Sequence, residues 1–307
     1  MRYQLYNLII DSDLDIALLP KYDGEGDADL VVRQDRVAFD LPNILHEASW
    51  YQIGREAFVV EIQKVARFKV CQGRHVTIER FFGAGDNEVA LYLLGSVIAG
   101  ALLQRDVFLL HACAVAADSG TILIAGEPGA GKSTLTAALV RQGYRLVADD
   151  VCLLTIKDGR AMVHPGHPYI KLWSDSLDLL GISAHGLSRV QSGENKFYWP
   201  VGAFFGDAPQ PVDAFFELAS GDGAEVVLSK LSGVDRILTL IRNGYRGEFL
   251  QFIGSHKANI VYWTSVARRF PLFRLFRPPN EWNSRGVIYG VEAIEKYLKE
   301  DKTWTIN

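Results

Sequence analysis

Three groups of residues have types and spacing suited to phosphate chemistry. Gly126-Glu127-Pro128-Gly129-Ala130-Gly131-Lys132-Ser133 fits G-x-x-x-x-G-K-[ST], and Thr134 follows it. Glycines let backbone N–H groups close around a phosphate, and the N-terminus of a following helix adds its positive end. Lys132 would set a cation against the β- and γ-phosphates of ATP, and the Ser133 hydroxyl is spaced to coordinate Mg²⁺. Asp149 and Asp150 form the second group. One carboxylate there would hold Mg²⁺, directly or through water. The other either takes the proton from an attacking hydroxyl or only caps a turn. His111, inside LLHACAV, is the third. It is either a satisfied core residue or a group that faces the γ-phosphate or orients the base.

These residues need elements to position them. The apolar run Thr121–Ala125 reads as a strand entering the loop, and Lys132–Gln142 as a helix leaving it. Tyr144–Ala148 reads as the next strand, which delivers Asp149 and Asp150 to the carboxyl edge of the sheet, where the loop also lies. Val107–Ala116 reads as one strand through His111, and Val151–Ile156 as another. Continuous apolar strands alternating with a helix indicate a sheet covered on both faces. Before this region the chain is mainly β. Tyr3–Ile10, Leu30–Val32, Ala57–Ile62, Phe68–Val70 and Val76–Arg80 are short β-rich segments, the last two forming a hairpin around Cys71-Gln72-Gly73-Arg74-His75. After it, Asp235–Arg242, the region near Phe249–Ile253 and Tyr289–Lys299 read as helices, and Phe270–Phe276 as a strand.

Composition excludes several classes. The chain has 307 residues, 49% hydrophobic and 22% charged, which is ordinary globular composition. A net charge of −4 gives no basis for nucleic-acid binding. Cys71, Cys113 and Cys152 are too few, too far apart and too apolar in context for a disulfide framework or zinc site. The acidic start, MRYQLYNLIIDSDLD, does not fit a signal peptide. Val89–Leu103 is apolar but shorter than the roughly 20 residues of a bilayer helix, so a buried helix is expected. The expectation is a cytoplasmic protein with no nucleic-acid and no membrane partner; a homo-oligomer stays open.

The stretch from Leu110 to Leu154 resembles the catalytic domain of the HPr kinase/phosphorylase family. It shares a His near the start of a strand (His111), the loop Gly126–Ser133, and a Gly-(aromatic)-Arg-Leu-Val-Ala-Asp-Asp run at Gly143–Asp150. The resemblance implies an α/β fold with a P-loop kinase core of the HPr-kinase C-terminal type and a β-rich N-terminal domain. The division expected is 1–86 for the β-rich part and 87–307 for the catalytic part. It implies ATP and Mg²⁺ as cofactors. Lys132 would neutralise the phosphates, Ser133 and Asp149 would hold the metal, and Asp150 would be the base with His111 beside it. Gly126, Glu127, Pro128, Gly129, Ala130, Gly131, Lys132, Ser133 and Thr134 would line the nucleotide.

The sequence also departs from that family. The HPr enzymes carry Glu where Thr134 stands, and a Glu-Ile-Arg-Gly segment whose nearest counterpart here, Pro168–Trp173, lacks the metal-binding Glu. Phosphorolysis and HPr itself as acceptor therefore fall outside what the resemblance implies. The β-rich start and the Ile170–Trp173 segment look more like HPr-kinase-like proteins of peptide maturation, including kinases acting on a serine of lasso-peptide precursors. The expected activity is transfer of the ATP γ-phosphoryl group to a serine hydroxyl, on a peptide. A small-molecule hydroxyl kinase and a non-catalytic, nucleotide-responsive binding module in a peptide-maturation complex are the alternatives. Lys171, Lys196 and Arg246 are candidates for acceptor or phosphate contacts. The loop His164-Pro165-Gly166-His167-Pro168 reads as rigid, bordering an acceptor pocket rather than binding metal. Arg268, Arg269, Arg274, Arg277 and Arg285 read either as a solvated basic face or as a surface for an acidic substrate.

Overall fold

The computed structural model describes residues 1–221, 223, 225–245, 250–253, 256–278 and 284–300. The chain forms two compact units. The first comprises residues 1–108, 190–194 and 245–259; the second comprises 109–189, 195–244 and 260–307.

The first unit is an eight-stranded sheet with a helical segment. Its strands are β1 (Arg2–Leu5), β2 (Leu8–Ser12), β3 (Leu30–Gln34), β4 (His46–Ala48), β5 (Tyr51–Ile53), β6 (Ala57–Ile62), β7 (Ala66–Cys71) and β8 (His75–Arg80). They lie in the order β1-β2-β3-β8-β7-β6-β5-β4. The run Tyr3–Ile10 is not one strand but a hairpin. Tyr6 and Asn7 take positive φ, and Leu5 pairs with Leu8. The expected hairpin at Cys71–His75 is present. Alternation buries Phe58, Val60, Phe68, Val70, Val76 and Ile78 on one face. The apolar segment forms α1 (Asp86–Tyr92), a π-turn (Leu93–Val97) and α2 (Ile98–Leu103). Among the described residues this stretch is long and apolar enough to cross a membrane, yet most of it is buried within the protein. It belongs to the β-rich unit, not to the part beginning at residue 87. Gly73, at φ +64, turns β7 into β8; a Cβ there would lie 2.5 Å from the Ala101 carbonyl oxygen of α2.

The second unit carries the loop. Its strands are β9 (Leu109–Leu110), β10 (Ala112–Ala117), β11 (Gly120–Gly126), β12 (Arg145–Ala148), β13 (Cys152–Lys157), β14 (Arg160–Val163), β15 (Tyr169–Trp173), β16 (Lys196–Pro200), β17 (Gln210–Pro211), β18 (Ala214–Ser220), β19 (Val227–Lys230) and β20 (Leu272–Arg277). Its helices are α3 (Lys132–Arg141), α4 (Ser174–Leu180), α5 (Gly233–Arg242) and α7 (Ser284–Glu300), and α6 (His256–Val266) belongs to it from Ile260 onward. The central sheet runs β12-β10-β11-β18-β20-β19. A second sheet runs β17-β14-β13-β9, and β15 pairs with β16 alone. The two antiparallel pairings of β10, with β11 and with β12, make β11 and β12 point the same way. Asp149 and Asp150 therefore leave the sheet at the edge where the loop begins. β18 and β20 run parallel to β11 and end at that edge too.

Ile122, Ile124, Leu135, Leu139, Leu146, Ile170, Leu172, Phe216, Phe273 and Ile294 belong to one apolar core. Local signals set the ends of α3. Gly131 is left-handed at its start and Gly143 just beyond its end. There the Tyr144 N–H donates to the Leu139 carbonyl at 3.1 Å and the Gly143 N–H to that of Val140 at 3.0 Å, a glycine-closed helix terminus. The run Val107–Ala116 is not continuous. It breaks at His111, whose N–H donates to the Asn243 carbonyl at 2.8 Å instead of to a strand neighbour.

Candidate active site

The loop Gly126–Ser133 joins β11 to α3 through three left-handed glycines. Gly126, Gly129 and Gly131 have φ of 143°, 80° and 95°. Gly126 also packs closely: a Cβ there would sit 2.6 Å from the Leu218 carbonyl oxygen of β18. The Lys132 ammonium folds back on its own loop, donating to the carbonyls of Gly126 at 2.8 Å and Glu127 at 3.3 Å. Burial lowers the Lys132 pKa, against the opposing pull of Cys113, Asp150 and Asp149. The neighbouring Thr134 hydroxyl shares a 2.9 Å hydrogen bond with Ser176 of α4.

Asp149 and Asp150 are adjacent in sequence but sit in different surroundings. Asp149 is 2% exposed. Its Oδ1 accepts from the Cys113 thiol at 3.1 Å and from the Ser133 hydroxyl at 3.4 Å, and its Oδ2 accepts from the Lys171 N–H at 2.9 Å. Burial and the neighbouring Asp150 charge push its carboxyl above the usual range. Asp150 takes φ +70°, which turns the chain so that its side chain meets other partners. Its Oδ2 lies 2.6 Å from the Lys171 ammonium and its Oδ1 3.3 Å from His111 Nδ1. Burial alone would raise the Asp150 carboxyl, but Lys171 and His111 hold it below the carboxylate range. Burial depresses His111, with Lys132 and Lys171 adding to this against Asp150. A proton on His111 Nδ1 would serve both the Asp150 side chain and the Asp150 carbonyl, 3.1 Å away.

Lys171 comes from β15. Strand alternation gives the β15–β16 hairpin two unlike faces. Ile170, Leu172, Phe197 and Trp199 pack on the core. The other face carries Tyr169, Lys171 and Trp173, opposite Pro200, Tyr198 and Lys196. Lys171 is 8% exposed, and although burial opposes it, Asp150 and Asp149 keep its ammonium charged. Trp173 is 48% exposed, with the Lys196 ammonium 5.3 Å from its ring centroid. His167 lies beside Tyr169, their ring centroids 6.4 Å apart. It is buried, its Nδ1 lacks a hydrogen-bond partner, and burial together with the Lys171 charge lowers its pKa to about 4.

The structure brings together His111, Lys132, Ser133, Asp149, Asp150 and Lys171 directly, and Lys196 at the next position out along the hairpin. Arg246 lies outside the described residues. His164 Nε2 shares a 2.8 Å hydrogen bond with the Thr155 hydroxyl. Among the described residues no cluster of three or more His, Cys, Asp or Glu could hold a metal. The oxygens of Ser133 and Asp149 nonetheless fit Mg²⁺, which takes few protein ligands and completes its shell with phosphate and water.

One cluster escaped the sequence. Glu217 of β18, 5% exposed, accepts from Arg242 at 2.7 Å, Arg274 at 2.8 Å and Asn243 at 2.8 Å. Arg274 is thus committed to an ion pair, not part of a solvated basic face. Glu217 pairs across from Ala125, the residue before the loop, and Asn243 holds the His111 backbone. A lone Glu inside the apolar run Ala214–Leu218 was the signal available. Cys113, which donates to Asp149, gave no signal beyond an apolar thiol.

No protein-family model matches the chain. Over 80 residues the sequence is 39% identical to HPr kinase/phosphorylase of Clostridium acetobutylicum, a match covering 24% of this chain and 25% of that protein. The chain therefore spans about a quarter of the length of the curated relative it matches. Among solved structures, the HPr(Ser) kinase/phosphatase from Coxiella burnetii aligns at 15% identity with a TM-score of 0.35, over 61% of this chain and 90% of that one. Over the 80 residues shared with the Clostridium protein, the chain is similar to an HPr kinase/phosphorylase.

Proposed function

We propose that this protein is an ATP-dependent kinase that transfers the γ-phosphoryl group to a serine hydroxyl, on a peptide. One observation carries it. The glycine loop places Ser133 Oγ 3.4 Å from a buried carboxylate, Asp149, while the next residue, Asp150, turns a second carboxylate to the same edge of the sheet. Two adjacent carboxylates with different partners suit two roles, one for metal and one for proton transfer.

In this reading the loop N–H groups and Lys132 bind the phosphates. Ser133 and Asp149 would hold Mg²⁺, which when bound would supply charge neutralisation at the phosphates. The acceptor oxygen forms a bond to the γ-phosphorus, the bond to the β–γ bridging oxygen breaks, ADP leaves, and the acceptor proton passes to Asp150. Lys171 and His111 fix the Asp150 carboxylate in place. Catalysis is positioning and charge neutralisation. The departures at Thr134 and Pro168–Trp173 weigh against HPr as acceptor, and the β-rich start and the Ile170–Trp173 segment favour a peptide of the maturation type, such as a lasso-peptide precursor. A cytoplasmic location accompanies this reading.

The test is transfer of label from γ-labelled ATP to a peptide array and to free hydroxyl metabolites. Asp150→Asn is expected to cut turnover by about 10²–10⁴-fold while ATP binding, measured by calorimetry, persists. Asn tolerates the left-handed backbone at this position, so the change tests the carboxylate rather than the turn. Turnover equal to wild type would remove Asp150 as the base; no transfer by wild type to any acceptor would leave a nucleotide-responsive binding module; label on metabolites alone would make it a small-molecule kinase.

A further inference from the structure

We propose that Lys196 is a further catalytic residue, a cation that rests on the face of Trp173 and moves to the transferring phosphoryl group. This rests on the kinase reading above. Phosphoryl transfer needs positive charge around the equatorial oxygens of the moving group, beyond what holds the ground-state phosphates. Most cations near this site are already engaged. Lys171 pairs with Asp150 at 2.6 Å. Arg242 and Arg274 pair with Glu217. Lys132 is bound by carbonyls of the loop itself. Lys196 makes no ion pair among the described residues, and its ammonium sits 5.3 Å from the Trp173 centroid.

Its placement fits the role. Lys196 lies on the same hairpin face as Tyr198 and Lys171, two residues along β16 from the partner of Lys171, or roughly 7 Å. A lysine side chain spans that distance. Its charge already acts on both Lys132 and Asp150, which flank the place where the γ-phosphate would lie. A cation–π contact on a half-exposed Trp is weak enough to exchange for phosphate oxygens. In the step itself Lys196 forms and breaks no covalent bond. It neutralises charge while the acceptor oxygen–phosphorus bond forms, the bridging oxygen departs with ADP, and the proton goes to Asp150.

The test uses the full chain with MgADP and aluminium fluoride, which mimic the transferring group, followed by calorimetry. Wild type is expected to bind MgADP with aluminium fluoride more tightly than MgADP alone. Lys196→Met is expected to lose about 10²-fold of that gain with MgADP affinity unchanged, and Lys196→Arg to recover part of it. Indole emission should change on adding aluminium fluoride in wild type and not in Trp173→Phe. That variant keeps an aromatic ring, so it guards against misfolding as the explanation. An equal gain in Lys196→Met overturns the proposal and leaves the kinase reading standing. Parallel loss of MgADP affinity also overturns it, by making Lys196 a ground-state phosphate contact. A wild type with no gain at all removes the kinase reading beneath it.

Discussion

Each residue of the site does its work through a partner that fixes it. Asp149 faces a thiol, a hydroxyl and a backbone N–H; Asp150 faces an ammonium and an imidazole. That difference, not the shared residue type, is what would fit the two carboxylates to two roles in the proposed reaction. Gly126 has little freedom. It takes φ +143°, and a Cβ there would meet the Leu218 carbonyl oxygen at 2.6 Å. Gly126→Ala is expected to weaken ATP binding at least tenfold and to lower stability by about 1–3 kcal/mol, from strain and the forced shift of β18. Calorimetric titration and urea unfolding check the two parts separately.

The elements convert these local constraints into a site. The direction of β12 delivers the carboxylate pair, and α3 starts where the loop ends. The β15–β16 hairpin holds Lys171 only because its opposite face is anchored. Leu172, 1% exposed in the core beside α3, is an anchor. Leu172→Ala is expected to cost about 2–5 kcal/mol in urea unfolding. It should also loosen the Lys171 N–H bond to Asp149 and so lower turnover, whereas Trp173→Phe, on the outer face, should leave stability nearly unchanged. The sequence placed the loop, α3 and β12 almost to the residue because each is local: glycines, an apolar strand and a helix follow one another. It misjudged the strand through His111 because apolarity alone cannot show where one sheet ends and another begins. The break depends on Asn243, 132 residues later, accepting the His111 N–H.

At the scale of the whole molecule, the buried groups make stability depend on pH. His167 is buried as a neutral imidazole, its pKa lowered to about 4 against about 6.5 in the unfolded chain. The unfolded state therefore binds more protons between those values, and stability falls as pH drops from about 6.5 to about 4. His167→Gln is expected to flatten that part of the stability curve, measured by urea unfolding across the range. Glu217 acts lower. Burial opposes it, but Arg242, Arg274 and Asn243 hold its carboxyl down, so its contribution is present above the unfolded carboxylate pKa and lost as pH falls further. The β-rich unit has its own sheet and its own buried face, so it folds around different residues from those of the site.

By itself, the sequence determined the loop, its helix, the acidic pair and the histidine, and through them the expectation of phosphate chemistry. Those signals sit within a few residues of one another, and backbone preference and side-chain type are enough to express them. Only the tertiary structure decided which partner each group has. Lys171 reaches Asp150 from 21 positions away and Lys196 reaches Trp173 from 23, through the register of one hairpin, while Glu217 gathers two arginines from separate elements. Pairings of that kind follow from how strands align and which faces are buried, and no local run of residues encodes them.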